Sequence, residues 1–209
     1  MKKLWIAVIS LGVVLPMAHA SVLFNSISSG DGEFDLSINV PGDYNGLYAS
    51  FSTGASLFSL TDVQLYLAPP AGTGILDVDL YSDSGGTPGA SMDLIGTVAE
   101  SGITTVTLED FSSFSPISLS ANTTYWIGIT TTSPSETNLP GWEASNDALG
   151  VGVSSQSWYD ATDGSNSNSV DQFALMMKIS GTDVSTPEPA TLLFSGLGLA
   201  ALAFARRRR

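Results

Sequence analysis

The 209-residue chain has no cysteine, a single histidine, His19, and only seven basic residues. Without cysteine there is no thiol nucleophile and no disulfide, and the usual histidine or cysteine zinc site is excluded as well. Six of the seven basic residues lie near the ends, as Lys2, Lys3 and Arg206, Arg207, Arg208 and Arg209. Residues 21–186 therefore set nineteen Asp or Glu against the single Lys178, a net charge of eighteen negative. A body so charged repels phosphate backbones and anionic lipid, so nucleic acid is not an expected partner. About 165 residues can bury a core large enough to hold without disulfides.

A helical apolar period of useful length is also missing between residues 21 and 181. Apolar residues there recur every second position instead. Val63, Leu65 and Leu67 alternate with Gln64 and Tyr66, and Leu76, Val78 and Leu80 with Asp77, Asp79 and Tyr81. Tyr125, Ile127 and Ile129 alternate with Trp126, Gly128 and Thr130, while Phe173, Leu175, Met177 and Ile179 flank Lys178. Val106 and Leu108 mark a shorter strand. Turn clusters at residues 68–72, 82–89 and 132–140 separate these runs. The expected fold is all-β: a single antiparallel β-sandwich, jelly-roll-like, over residues 21–181. Residues 160–171, rich in Ser, Asn, Asp and Gly, predict a long surface loop, and residues 182–186 a polar linker.

The two ends have a different character. Residues 1–20 read as a signal peptide: a basic start at Lys2 and Lys3, an apolar core over residues 4–15, and Ala18-His19-Ala20 in the small-x-small pattern of signal peptidase. Cleavage before Ser21 would remove the only histidine, so the mature body could not run a His-dependent triad. At the other end Pro187, Glu188 and Pro189 precede sixteen apolar or small residues, 190–205, and then four arginines. A helix over those sixteen would be about 24 Å long against roughly 30 Å of hydrocarbon, a marginal span. Gly196 and Ala200 have the small-xxx-small spacing that lets helices approach closely. The arginines act as a membrane stop, since permanent positive charge stays on the cytoplasmic side.

This three-part order over residues 187–209 resembles the PEP-CTERM sorting signal of Gram-negative, exopolysaccharide-producing bacteria. The resemblance implies processing by an exosortase near Pro187-Glu188-Pro189, after signal peptidase has acted at the other end. It also implies transient residence in the inner membrane, release to the cell surface or beyond, and exopolysaccharide as a partner.

A second resemblance lies in the body. Residues 47–54 (LYASFSTG), 78–83 (VDLYSD) with 86–89 (GTPG), and 119–126 (LSANTTYW) are similar to the choice-of-anchor R domain. That likeness implies an extracellular β-sandwich and assigns no activity.

With histidine and cysteine gone, any chemistry falls to carboxylates, aromatics or bound ions. Asp77 and Asp79 share a strand face about 7 Å apart, a spacing compatible with an inverting glycosidase, but a solvated sheet face is the stronger reading because a catalytic pair usually joins different strands. Asp160, Asp163 and Asp171, with Asn166 and Asn168, offer oxygen ligands to calcium, though not in EF-hand register; no other cofactor is expected. Trp142, Trp158 and Tyr159 near loops could stack on sugar rings, or serve the core. Asn122-Thr123-Thr124 reads as a turn closed by side chain to backbone bonds ahead of the Tyr125 strand. The function expected is that of a non-enzymatic surface or matrix protein. The alternatives are a carbohydrate-binding module, with or without calcium, and a carboxylate-dependent glycoside hydrolase.

Overall fold

The computed structural model describes residues 20–27, 34–36, 46–69, 74–131, 141–145, 151–152, 158–160, 166–167 and 174–184. They fall in one compact unit, His19–Val184. In chain order the strands are β1 (Ala20–Asn25), β2 (Phe34–Leu36), β3 (Leu47–Ser52), β4 (Leu57–Leu67), β5 (Ile75–Asp83), β6 (Pro88–Ala99), β7 (Thr107–Phe111) and β8 (Ile117–Leu119). They continue as β9 (Thr124–Thr131), β10 (Trp142–Ser145), β11 (Val151–Gly152), β12 (Trp158–Asp160), β13 (Asn166–Ser167), β14 (Ala174–Leu175) and β15 (Met177–Val184). Among the described residues the only helical element is one 3₁₀ turn, Glu100–Gly102, and no helix is long and apolar enough to cross a membrane.

Two antiparallel sheets result. The larger runs β11-β1-β15-β4-β10-β14, with β2 on β10 and both β7 and β8 on β4; the smaller runs β13-β12-β3-β9-β5-β6. The chain passes back and forth between them, the jelly-roll-like trait expected of the body. Leu76, Val78, Leu80, Ile127 and Ile129 of the smaller sheet share one buried cluster with Val63, Leu65, Leu67, Met177 and Ile179 of the larger. Each such Leu, Ile or Val contributes about 1.5–3 kcal/mol by leaving water. That burial has to offset the repulsion of a strongly anionic body that has no disulfide.

β4 shows how pattern and pairing interact. Phe58 and Leu60 face the core at one end and Val63, Leu65 and Leu67 at the other, a break in the period-two phase. The register with β15 shifts where Ser180 pairs with Asp62 but Gly181 pairs with Leu60, so Thr61 is an extra residue. This bulge turns both halves inward. On the opposite edge the two halves of β4 pair with β8 and β7 respectively.

The remaining local features follow from turn chemistry. β5 and β6 form a hairpin whose tip carries Gly85 (φ 70°) and Gly86 (φ 90°), a left-handed backbone open to glycine. The Asp83 carboxylate accepts the Gly86 N–H at 3.2 Å and closes that tip. Before β9, Asn122 adopts φ 50°, and the Thr123 hydroxyl donates to the Ala121 carbonyl at 3.0 Å. Thr53 completes this turn from outside by donating to the Ser120 carbonyl at 2.6 Å.

The shorter strand marked by Val106 and Leu108 is β7, which begins at Thr107; both residues are more than 40% exposed because Phe111, Glu109 and Thr107 stand opposite the inward side chains of β4. Two expectations change here. Of the residues expected as a linker at 182–186, Thr182, Asp183 and Val184 belong to β15, pairing with Ser59, Phe58 and Leu57. The loop expected over 160–171 contains strand at both Asp160 and Asn166–Ser167, because β12 pairs with β3 and β13 with β12.

Candidate functional site

The first candidate region is the pair of chain exits. Ala20 opens β1 and pairs with Thr182 of β15, so the chain enters and leaves the body at the same end of two neighbouring antiparallel strands. Ala18, Pro187, Glu188, Pro189 and Arg206 to Arg209 lie outside the described residues, as does the apolar segment 190–205.

The second is the solvent side of the six-stranded sheet. Period-two alternation that buries Leu76, Val78 and Leu80 of β5 turns Asp77, Asp79 and Tyr81 outward. Register then sets their neighbours: Asp77 opposite Thr130, Asp79 opposite Gly128, Tyr81 opposite Trp126, and Tyr48 of β3 on the far side of Gly128. Two glycines shape this face. A Cβ on Gly128 would collide with the Tyr48 ring and with Cε2 of Tyr81, and one on Gly46 would lie 2.6 Å from the Tyr48 hydroxyl oxygen. The Tyr48 ring therefore lies down over two positions that carry no side chain. Tyr81 meets it edge to face, with centroids 5.1 Å apart and planes at 83°. Beside them Trp126, only 1% exposed, donates its indole N–H to the Asp83 carboxylate at 2.8 Å.

Burial is the main force on the ionisable groups of this face. It raises the Asp79 carboxyl above its ordinary value, the negative charge of Asp77 adds to the rise, and the Ser91 hydroxyl, donating at 3.4 Å, opposes it. The Tyr81 phenol is raised too, first by burial and then by Tyr48 and Asp79. On the outer face of the larger sheet Asp62 is likewise raised, by burial and then by Asp110, against the pull of Ser180 and Lys178. An acid whose pKa is raised by folding is bound more tightly to its proton in the folded chain than in the unfolded one. Its contribution to stability is present below the unfolded value, about 4, and is lost as pH rises through the folded value. The thermal midpoint is accordingly expected to rise as pH is lowered from 7 towards 5. Asp79→Asn should raise the midpoint at pH 7 and flatten that slope, as read by circular dichroism melts across the range.

The residues singled out in the sequence sort as follows. Trp142 is withdrawn as a sugar-stacking residue: it is 0% exposed in β10 and donates its indole N–H to the Met176 carbonyl at 2.9 Å, so neither ring face is free. Trp158 and Tyr159 belong to strand rather than loop, in register with Ala49 and Tyr48. Asp160 pairs with Leu47 in the same strand, while Asp163 and Asp171 lie outside the described residues. Among the described residues no three His, Cys, Asp or Glu stand close enough to hold a metal ion. Sequence reasoning missed the arrangement of Tyr48, Tyr81, Gly46 and Gly128. Its one available signal was Gly128, a lone glycine between Ile127 and Ile129, where a strand glycine marks a close approach.

No curated protein matches the chain. Residues 185–209 match the family model of the PEP-CTERM protein-sorting motif, and the chain is on that ground an exosortase substrate, exported by way of a membrane.

Proposed function

We propose that the exported body is a non-enzymatic surface or matrix protein, retained among exopolysaccharide outside a Gram-negative cell. The observation that carries this reading is the sorting motif at residues 185–209, joined to a body of net charge eighteen negative that has no cysteine and, once its signal peptide is gone, no histidine. Such a body suits an external, cation-containing environment, where counterions relieve its self-repulsion. The likeness of residues 47–54, 78–89 and 119–126 to the choice-of-anchor R domain points the same way.

Cells making the full-length chain, a Pro187-Glu188-Pro189→Ala form and a tail-deleted form test the sorting step by fractionation and intact-mass measurement. The full-length chain should lose its first twenty residues and its apolar tail and reach the surface or medium. The triple-alanine form should keep the tail and stay in the membrane fraction. Equal masses and locations for these two forms would sink the processing step.

A glycoside hydrolase remains the competing reading, favoured by one observation. The carboxyl of Asp79, raised by burial, lies beside a second carboxylate, Asp77, and inverting hydrolysis works with a carboxyl pair of which one is a raised acid. Both, however, come from a single strand and point the same way. Polysaccharide cleavage lost on Asp79→Asn would select it over the matrix reading.

A further inference from the structure

We propose that the outer face of the larger sheet at its exit end, where Leu57 and Val184 lie side by side, is a docking surface for the exosortase that cuts this chain. The proposal rests on cutting near Pro187-Glu188-Pro189 and adds a contact made by the body itself.

Chain length brings the two surfaces together. β15 stays in the sheet to its last residue, with Thr182, Asp183 and Val184 in register with Ser59, Phe58 and Leu57. On its other edge Ala20 pairs with Thr182, and the Ser21 hydroxyl donates to the Asp183 carboxylate at 3.3 Å. Only Ser185 and Thr186 then separate the ladder from Pro187. Three Cα steps reach at most about 11 Å in any conformation. An enzyme holding Pro187-Glu188-Pro189 therefore has the end of the larger sheet against the rim of its active site.

That end carries apolar side chains in the open. Ile179 and Gly181 of β15 face the core, so Ser180, Thr182 and Val184 face outward. Val184 is 46% exposed and its ladder partner Leu57 45%. Residues directly opposite each other share a face, so the two side chains form one apolar pair. Val22 of β1, also half exposed and opposite Ser180, extends the same face. Single exposed apolar residues are ordinary, but a pair on the last rung before the cut site stands where the partner that grips the tail can cover it.

A small area suffices here. Two half-exposed side chains would not hold free proteins together, since a stable interface buries about 1,200–2,000 Å². The enzyme, however, already holds the tail, and a short tether gives millimolar effective concentration, at which a weak contact is filled. Cutting removes the tether, so the contact does not delay release. Lipid is the poorer occupant, because a body of net charge eighteen negative is repelled by an anionic leaflet.

The test follows removal of the tail from the full-length chain in cells that carry an exosortase, by intact-mass measurement of timed samples. Leu57→Thr with Val184→Thr removes the apolar surface, keeps residues suited to strands and leaves Pro187-Glu188-Pro189 untouched; it should slow removal about fivefold or more. Val184→Thr alone, of unchanged shape, should show a smaller part of the effect, and it reports even if the double variant disturbs β4. Leu94→Thr removes a side chain of like exposure from the six-stranded sheet and should leave the rate unchanged. A flexible Gly-Ser insert after Val184 should slow the wild type more than the double variant, since it dilutes the contact. Equal rates for the wild type and both threonine variants overturn the docking. Faster removal with the insert shows instead that the body obstructs the enzyme, and overturns it too. Flotation of the released body with phosphatidylethanolamine and phosphatidylglycerol vesicles, lost in the double variant, would give the patch to lipid and overturn the assignment to the enzyme. A wild-type chain that keeps its tail overturns the processing step itself, and the docking with it.

Discussion

Trp142→Ala should lower the unfolding free energy of the body by about 3–5 kcal/mol, the range for removing a large buried aromatic side chain. Trp142 is among the largest fully buried side chains and stands where β10 meets both β4 and β2. Its loss opens a cavity where these strands meet. The indole N–H also anchors Met176, the single residue between β14 and β15, whose carbonyl it shares with the Tyr66 N–H at 3.1 Å and whose own N–H donates to the Glu143 carbonyl at 2.8 Å. Truncation therefore removes packing and one of the bonds that hold this joint. Trp142→Phe keeps most of the volume and should cost clearly less. Urea unfolding of both variants beside the wild type reads the difference, and an unchanged midpoint for Trp142→Ala would contradict the core placement.

Adding one methyl group at Gly181 should be nearly as damaging. Gly181 sits on the inward side of β15 at the bulge, and a Cβ there would run into the Ser59 carbonyl and the Phe58 ring. A side chain can rotate away, but a ladder carbonyl cannot move without displacing its strand. Gly181→Ala is expected to cost about 3 kcal/mol, the upper part of the range for overpacking. Phe58→Leu in the same chain should not rescue it, since the backbone contact stays. Gly102→Ala is the control: nothing lies within 4 Å of its added methyl, so its midpoint should move little. Equal behaviour of the two alanine variants in denaturant would refute the clash.

Much of the strand content was readable in the order of residues. Val63 to Leu67, Leu76 to Leu80 and Tyr125 to Ile129 alternate cleanly and are buried on the apolar side, because a strand with one dry face must place every second residue there. The hairpin tip at residues 84–87 was equally legible from its two glycines. Three things were not. β6 has register shifts against β5 that scramble its alternation, and β12 is strand through β3, far earlier in the chain, with β13 added at its edge. The outward turn of Leu108 depends on which residues of β4 it faces. Pairing, not local preference, decided each of them.

The C-terminal sorting motif was legible for a different reason: its function resides in composition and order. A Pro-Glu-Pro ahead of an apolar run and arginines works as a linear feature met by enzymes and lipid. The sequence by itself thus determined export, the anionic β-rich body and the absence of thiol chemistry. Tertiary structure alone decided that Trp142 belongs to the core and that Tyr48, a residue with no signal of its own, lies across two glycines against the Tyr81 ring. Those facts depend on register between strands far apart in sequence, such as Tyr48 with Gly128 and Trp142 with Leu36, and register arises only when the sheets close over a common core.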